Sequence, residues 1–318
     1  MTTSAMPDSV ARVLRPRSVL FGLVLFFSIL LLAGCNRQPA EKPLNYSKTP
    51  SVTSLPVYRF AVHPLHNPAK LAEAYQPLIE YINVRIPEAH FELEASRDYQ
   101  AYEEKFRSGG PEFLLPNPWQ TIEAMKSGYK VIAMAGNAED FKGIFIARRD
   151  SSIKKPTDLK GKTVSYPSHT ALAACIMPQF FLHQHGINVN RDITNNYVGS
   201  QESSIMNVYL GQSSVGATWP VPWRLFQKDH PKEAAQLYQL WETPHLLNNS
   251  VMVRNTVPPA ISQKVRTLLL ELSQSAEGRA ILSNMATAQF HAADNTSYQK
   301  IRDYVAVFEK QVRPVEKK

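Results

Sequence analysis

From residue 57 to residue 311 the chain alternates short apolar runs of strand character with longer stretches whose apolar residues recur at helical spacing. YRFAVHP, FELEAS, EFLLP, KVIAMAG, GIFIARRD, KTVSYP, ITNNYVG, SVGATWP, AQLYQLWET and NSVMVRNTV read as strands. Between them AKLAEAYQPLIEYINVRI, DYQAYEEKFRSGG, PWQTIEAMKSG, TALAACIMPQFFLHQHG, QESSIMNVYLGQ and PWRLFQKDH read as helices, and the tail is mostly helical. Pro68 suits a first helical position, and Pro77 predicts a kink inside the first helix. Strands interleaved with helices specify βαβ units and mostly parallel sheets with helices on their faces. Residues 57 to 318 are too many for one small core and suit two lobes.

In open α/β sheets, ligands bind outside the carboxyl ends of the strands, where loops lead into helices. Five such loops are rich in small polar or aromatic residues: HPLHNP (63–68), PNPW (116–119), YPSHT (166–170), GSQES (199–203) and TWPVPW (218–223). Ser168, His169 and Thr170 stand where a strand ends and a helix begins, so hydroxyls and first-turn N–H groups there can cradle an anion or simply cap the helix. Ser200 and Gln201 open a second helix, with Glu202 favouring its N-terminus. Asn117 beside Trp119 offers an amide and a flat wall. Trp219 and Trp223 read the same way, and Tyr166, His63, His66 and Asn67 complete the rim. A neutral cleft rich in aromatics and amides suits a small polar solute better than a dianion needing several charged partners.

The front of the chain addresses location. Arg12, Arg15 and Arg17 precede residues 19–33, which carry no charge, and Ala33 and Gly34 then stand before Cys35. A basic n-region, an apolar h-region and small residues at a cut site describe an export signal. The run is short of the ~20 residues a permanent span needs. Leu32, Ala33, Gly34 and Cys35 resemble the lipobox of bacterial lipoproteins, which implies cleavage before Cys35 and lipidation of its sulfur; an uncleaved signal anchor is the alternative. Residues 1–34 are accordingly assigned to a lipoprotein signal peptide and residues 35–56, polar and proline-rich, to a flexible tether. Asn36 after the cysteine argues weakly for the outer membrane where there is one. Removing the signal takes the formal charge from +8 to about +6, which favours anionic partners without any dense basic run for nucleic acid. Cys175 is the one other cysteine, which excludes an internal disulfide beyond Cys35 and CxxC-type metal or redox sites.

GIFIARRDSSIKKPTDLKGKTVSYPS is similar to the phosphonate/phosphite-binding-like family of periplasmic solute-binding lipoproteins. YRFAVHPLHNP, EFLLPNPWQTIEA and VGSQESSIMNVYLGQSSVGATWPVPW extend the resemblance over about residues 57–310. It implies an α/β, two-lobed type II periplasmic-binding-protein fold with hinged lobes, residues 57–149 plus 247–318 forming lobe one and residues 150–246 lobe two. It also implies a monomer without cofactor, held at the membrane outside the cytoplasm, that delivers a phosphate-, phosphite- or phosphonate-type oxyanion to an ABC permease. Three positions depart from the family. Its Ser-Thr-Ser-Gly run falls on Ala171, Leu172, Ala173 and Ala174; its histidine is absent near Gln201; its acidic residue is absent near Thr218. Relatives of this family that sense arsenic oxyanions supply an alternative, a lipoprotein that signals to a membrane histidine kinase with Cys175 as a metalloid thiol. An enzyme is not expected: Ser151 and Lys154 match SxxK without a companion motif, and neither GxSxG nor HExxH occurs.

Overall fold

The computed structural model describes residues 55–316, so the signal segment, Cys35 and nearly all of the tether lie outside the described residues. Among the described residues eleven strands form two sheets. The first half of the chain gives β1 (Val57–Val62), α1 (Pro68–Arg85), β2 (His90–Glu94), α2 (Tyr99–Arg107), β3 (Phe113–Leu115), α3 (Pro118–Lys126), β4 (Tyr129–Ala135), β5 (Ile144–Arg148) and β6 (Thr163–Tyr166). A π-helical turn (Leu172–Ile176) then leads straight into α4 (Met177–Gln184). After it come β7 (Thr194–Tyr197), α5 (Gln201–Tyr209), β8 (Val215–Thr218), α6 (Pro220–Asp229), α7 (Pro231–Ala234), β9 (Leu237–Glu242) and β10 (Ser250–Arg254). The tail carries α8 (Pro259–Glu271), α9 (Ala276–Asn284), β11 (Phe290–His291) and α10 (Gln299–Gln311).

The first sheet runs in the order β11-β4-β10-β3-β1-β2 and the second in the order β7-β6-β8-β5-β9. Both are mixed rather than mostly parallel. β1 pairs parallel with β2 and β3, whereas β10 runs antiparallel between β3 and β4. In the second sheet β6 pairs parallel with β7 and β8, and β5 is antiparallel to β8 and β9. The physical reason is the chain path: β5 and β10 each enter a sheet after a crossing from the other one and so need no helical crossover to reverse direction. β5 therefore belongs to the second sheet, not to the end of lobe one as a boundary at 149/150 places it. The first crossing is residues 136–143.

That crossing and the return, residues 243–249, are bonded to one another. Thr243 N donates to Gly143 O (2.8 Å), Leu246 N to Phe141 O (2.9 Å), and Asn248 Nδ2 to Asn137 O (2.9 Å). The Thr243 hydroxyl oxygen also accepts from Gly143 N at 2.9 Å. Gly143 is required here: a Cβ at this position would stand 2.6 Å from Ala173 O, so only glycine lets the crossing lie against the π-helical turn.

Helix starts follow their caps. Asn67, Asp98, Asn117 and Ser200 each accept a first-turn N–H of α1, α2, α3 and α5. Pro77 sits within α1 without ending it. The stretch expected as one plain α-helix from Thr170 onward instead begins with the π-helical turn. Pro178 has no N–H to give the carbonyl four residues back, and the wider turn accommodates it. α5 packs on β8 through Gly216, where a Cβ would meet Ser204 O at 2.5 Å, and the Ser204 hydroxyl donates to Ser165 O and Ala217 O. Among the described residues no helix is long and apolar enough to cross a membrane.

Candidate functional site

Strand ends from both sheets meet at one small cavity of about 10 Å³, lined by His63, Tyr99, Asn117, Phe141, Ala171, Leu172, Ala173, Ala174, Gln201, Trp219 and Asn249. That is the space of a single water. Its two walls have different parentage. His63 follows β1, Tyr99 starts α2, Asn117 caps α3 and Asn249 precedes β10, all on the first sheet. Gln201 starts α5, Trp219 follows β8, and residues 171–174 open the helix after β6, all on the second.

Hydrogen bonds fix the lining side chains. Gln201 is held at both ends: Thr218 Oγ1 donates to its Oε1 (2.8 Å) and its Nε2 donates to Tyr99 Oη (3.0 Å), a contact across the two halves. Asn117 Oδ1 accepts from Trp119 N (2.9 Å) and Gln120 N (3.1 Å), which aims its Nδ2 at Thr170 O (3.3 Å) on the other half. His63 Nδ1 lies 2.8 Å from Leu115 O. Burial, more than the neighbouring His66, pulls the His63 pKa down to about 4 against the opposing pull of that carbonyl, so the ring is neutral at physiological pH. Trp219 leans on Phe141 with ring centroids 5.6 Å apart. The first-turn N–H groups of the helix that begins at Leu172 have no carbonyl of their own helix to bond, and its dipole favours negative charge there.

Beside the cavity, the Thr170 hydroxyl donates to Glu103 Oε1 at 2.6 Å, and Ser168 Oγ lies 3.0 Å from Thr170 Oγ1. Gln120 Nε2 donates to the same Glu103 oxygen (3.0 Å), and Arg107 stands 3.9 Å from the other. Desolvation raises the Glu103 pKa, against the lowering pull of these hydrogen bonds. Ser168 and Thr170 are thus engaged with a carboxylate of the opposite half rather than lining the cavity.

The remaining predicted residues are elsewhere. His169 is exposed beside Tyr197, and its carbonyl accepts from Arg313 at 3.1 Å. Trp119 is buried but lines an outer groove of about 1340 Å³ together with His169, Arg107, Lys126, Arg302 and Arg313. Tyr166 is fully buried near Tyr197, and its hydroxyl has no hydrogen-bond partner among the described residues. Ser200 caps α5 and Asn67 caps α1 from an exposed position. His66 lines a separate pocket with Glu202 and Asp229, and burial lowers its pKa. Cys175 is buried with its sulfur 3.5 Å from Arg313 Nη2; burial pushes its thiol up to about 11, and it does not line the cavity. No group of three or more His, Cys, Asp or Glu that could hold a metal occurs among the described residues.

Tyr99, Phe141 and Asn249 escaped the sequence reading. Tyr99 stands after β2 and falls under the same strand-end rule as the five chosen loops. Asn249 precedes its strand, and only the antiparallel setting of β10 brings it beside the ends of β3 and β4.

With this geometry in hand, comparison with known proteins is informative. A family model described as the phosphonate periplasmic substrate-binding protein of ABC transporters matches residues 60–298. A curated relative, a probable ABC transporter phosphite-binding protein of Prochlorococcus marinus, is 23% identical over 186 residues. That alignment spans 54% of this chain and 63% of the relative, less than two thirds of its length. Among solved structures, a binding-protein component of a phosphonate ABC transporter from Pseudomonas aeruginosa has a TM-score of 0.75 at 16% identity, covering 81% of this chain and 88% of that one. The Prochlorococcus marinus protein PhnD1 in complex with methylphosphonate has a TM-score of 0.72 at 18% identity, covering 80% and 98%. At these identities the structural matches establish a shared fold, that of type II periplasmic binding proteins.

Proposed function

Because the chain belongs to the phosphonate periplasmic substrate-binding family of ABC transporters, we propose that it captures a small oxyanion of the phosphate, phosphite or phosphonate type outside the cytoplasm and delivers it to an ABC permease. In this reading Cys35 carries the lipid anchor and the chain works as a monomer without a cofactor. One lobe is built on the first sheet and the other on the second, with residues 136–143 and 243–249 as the hinge.

The observation that carries the reading is the convergence of strand-end groups from both sheets on one cavity, with the open first turn at Leu172 as part of its wall. Backbone N–H groups at a helix start are suited to oxyanions whatever the side chains, which explains how a run without hydroxyls, Ala171 to Ala174, can serve. A space of about 10 Å³ cannot seat a phosphonate, so the halves must part to admit one and re-form around it. Contacts from both halves then favour the closed arrangement. Tyr99–Gln201 and Asn117–Thr170 are the bonds that would be broken and remade. Transport is preferred over presentation to a sensor kinase because Cys175, the thiol on which metalloid sensing would turn, lies outside the cavity.

The test is calorimetric titration of the purified protein with phosphate, phosphite, methylphosphonate and arsenite, with small-angle scattering on each mixture. The expected result is binding of one of the phosphorus oxyanions, lost by roughly tenfold to a hundredfold in Gln201→Ala, which leaves the Tyr99 and Thr218 hydroxyls without their shared partner. Binding of arsenite alone, or binding indifferent to Gln201, rejects the proposal.

A further inference from the structure

The cavity presents acceptors as well as donors, with donors on both walls and the free acceptors on the first-sheet wall. On the second-sheet wall stand the first-turn N–H groups after Ala171. The Tyr99 hydroxyl accepts from Gln201 and so keeps its own proton to give. On the first-sheet wall stand His63 and Asn249. A carbonyl oxygen only accepts, so the 2.8 Å contact with Leu115 O makes His63 Nδ1 the donor and leaves Nε2 of the neutral ring as an acceptor. Asn249 Oδ1 is buried without a hydrogen-bond partner among the described residues. Lysine, arginine, aspartate and glutamate are all missing from the lining.

We infer that the site selects an oxyanion that still carries a proton, its bare oxygens facing the helix start and its hydroxyl donating to His63 Nε2; a second O–H, where the oxyanion has one, would meet Asn249 Oδ1. This rests on the oxyanion reading above and narrows it to a class: monoanions with an acidic O–H. A dianion would turn lone pairs toward both acceptors in a cavity without a cation, and each buried acceptor would go unpaired. A monoanion lacking an O–H would leave them equally unpaired. The other titratable groups close to His63 do not change its role. Tyr99 and Tyr102 stand edge-on with centroids at 6.2 and 6.5 Å, and burial raises both of their pKa values, so they stay protonated. His66, in the same loop, is likewise driven toward the neutral form by burial. Glu103 is held by Thr170 and Gln120 outside the lining.

Methylphosphonate and methanesulfonate separate the two ideas. At mildly acidic pH both are monoanions of nearly the same shape, but only the phosphonate keeps an O–H. Calorimetry on the full protein should show methylphosphonate binding roughly tenfold to a hundredfold tighter than methanesulfonate. His63→Leu should erase that preference by weakening methylphosphonate alone, and His63→Gln, whose amide oxygen can accept, should retain part of it. Equal affinity for the two probes, a preference for the sulfonate, or a preference unchanged in a folded His63→Leu overturns the inference while leaving oxyanion capture standing. Failure of both probes to bind overturns the inference, and capture falls with it only if phosphate and phosphite also fail to bind. If His63→Leu does not fold, the wild-type comparison decides alone.

Discussion

The outer groove and the inner cavity are opposites. The groove encloses about 1340 Å³ and the cavity about 10 Å³, yet the larger space is the poorer candidate. The groove's charges are already engaged: Lys126 pairs with Glu123 at 2.6 Å and Arg107 with Glu316, Glu309 accepts from Val315 N at 3.0 Å, and Arg302 and Arg313 donate to Met125 Sδ and Gln179 Oε1. Exposed pairs of this kind contribute little, and the groove's charges face solvent. The cavity has no charge among its lining residues, but Gln201, Asn117, Tyr99 and His63 are each oriented by a hydrogen bond, and the walls come from different sheets. What distinguishes a recognition site is arrangement and desolvation, not volume.

This contrast can be broken in four ways. The largest effect is expected from Ala173→Leu, which fills the cavity. Overpacking costs about 1–3 kcal/mol, so titration should show oxyanion affinity down by roughly tenfold to a hundredfold. Unchanged affinity would move the site elsewhere. A smaller effect is expected at the contact between the halves. Thr170→Val removes a donor from the buried Glu103 carboxylate and should weaken binding by about 1 kcal/mol through poorer closure, not through a lost ligand contact. The pH dependence carries a definite sign. Burial in the closed form raises the Glu103 pKa, so that form holds more protons and gains over the open form as pH falls into the raised range. Scattering against pH should show contraction on acidification in wild type and none from this source in Glu103→Gln. The smallest effect belongs to the groove. Lys126→Ala and Arg302→Ala should change affinity by no more than about 0.5 kcal/mol; a larger loss would reverse the comparison.

Much of this architecture is legible in the sequence because its signals are local. Asn67, Asp98, Asn117 and Ser200 announce four helix starts, and strand periodicity places ten strands within a few residues of their positions. What is not legible depends on partners distant along the chain. Phe290–His291 is a strand only because β4 offers an edge, and the parallel bias expected from alternation fails where the chain changes sheets. The same holds for the site. Asn117, Gln201 and Trp219 fall at the cavity because strand ends are predictable, as does His63 of the wider rim. The hydroxyls of Ser168 and Thr170 also stand at a strand end, but a carboxylate buried on α2 claims Thr170 directly and Ser168 through it. Nothing in the local sequence could reveal that bond between residues 67 positions apart.

The bonded pair of crossings, residues 136–143 and 243–249, has a mechanical consequence. Two separate strings between the halves would permit sliding and shear as well as rotation. A ribbon laced at Gly143–Thr243, Phe141–Leu246 and Asn137–Asn248 resists translation and leaves bending as its soft mode. Each stroke would then return the same residues to face each other, and inserting one residue into either crossing would throw the two walls out of alignment without touching them.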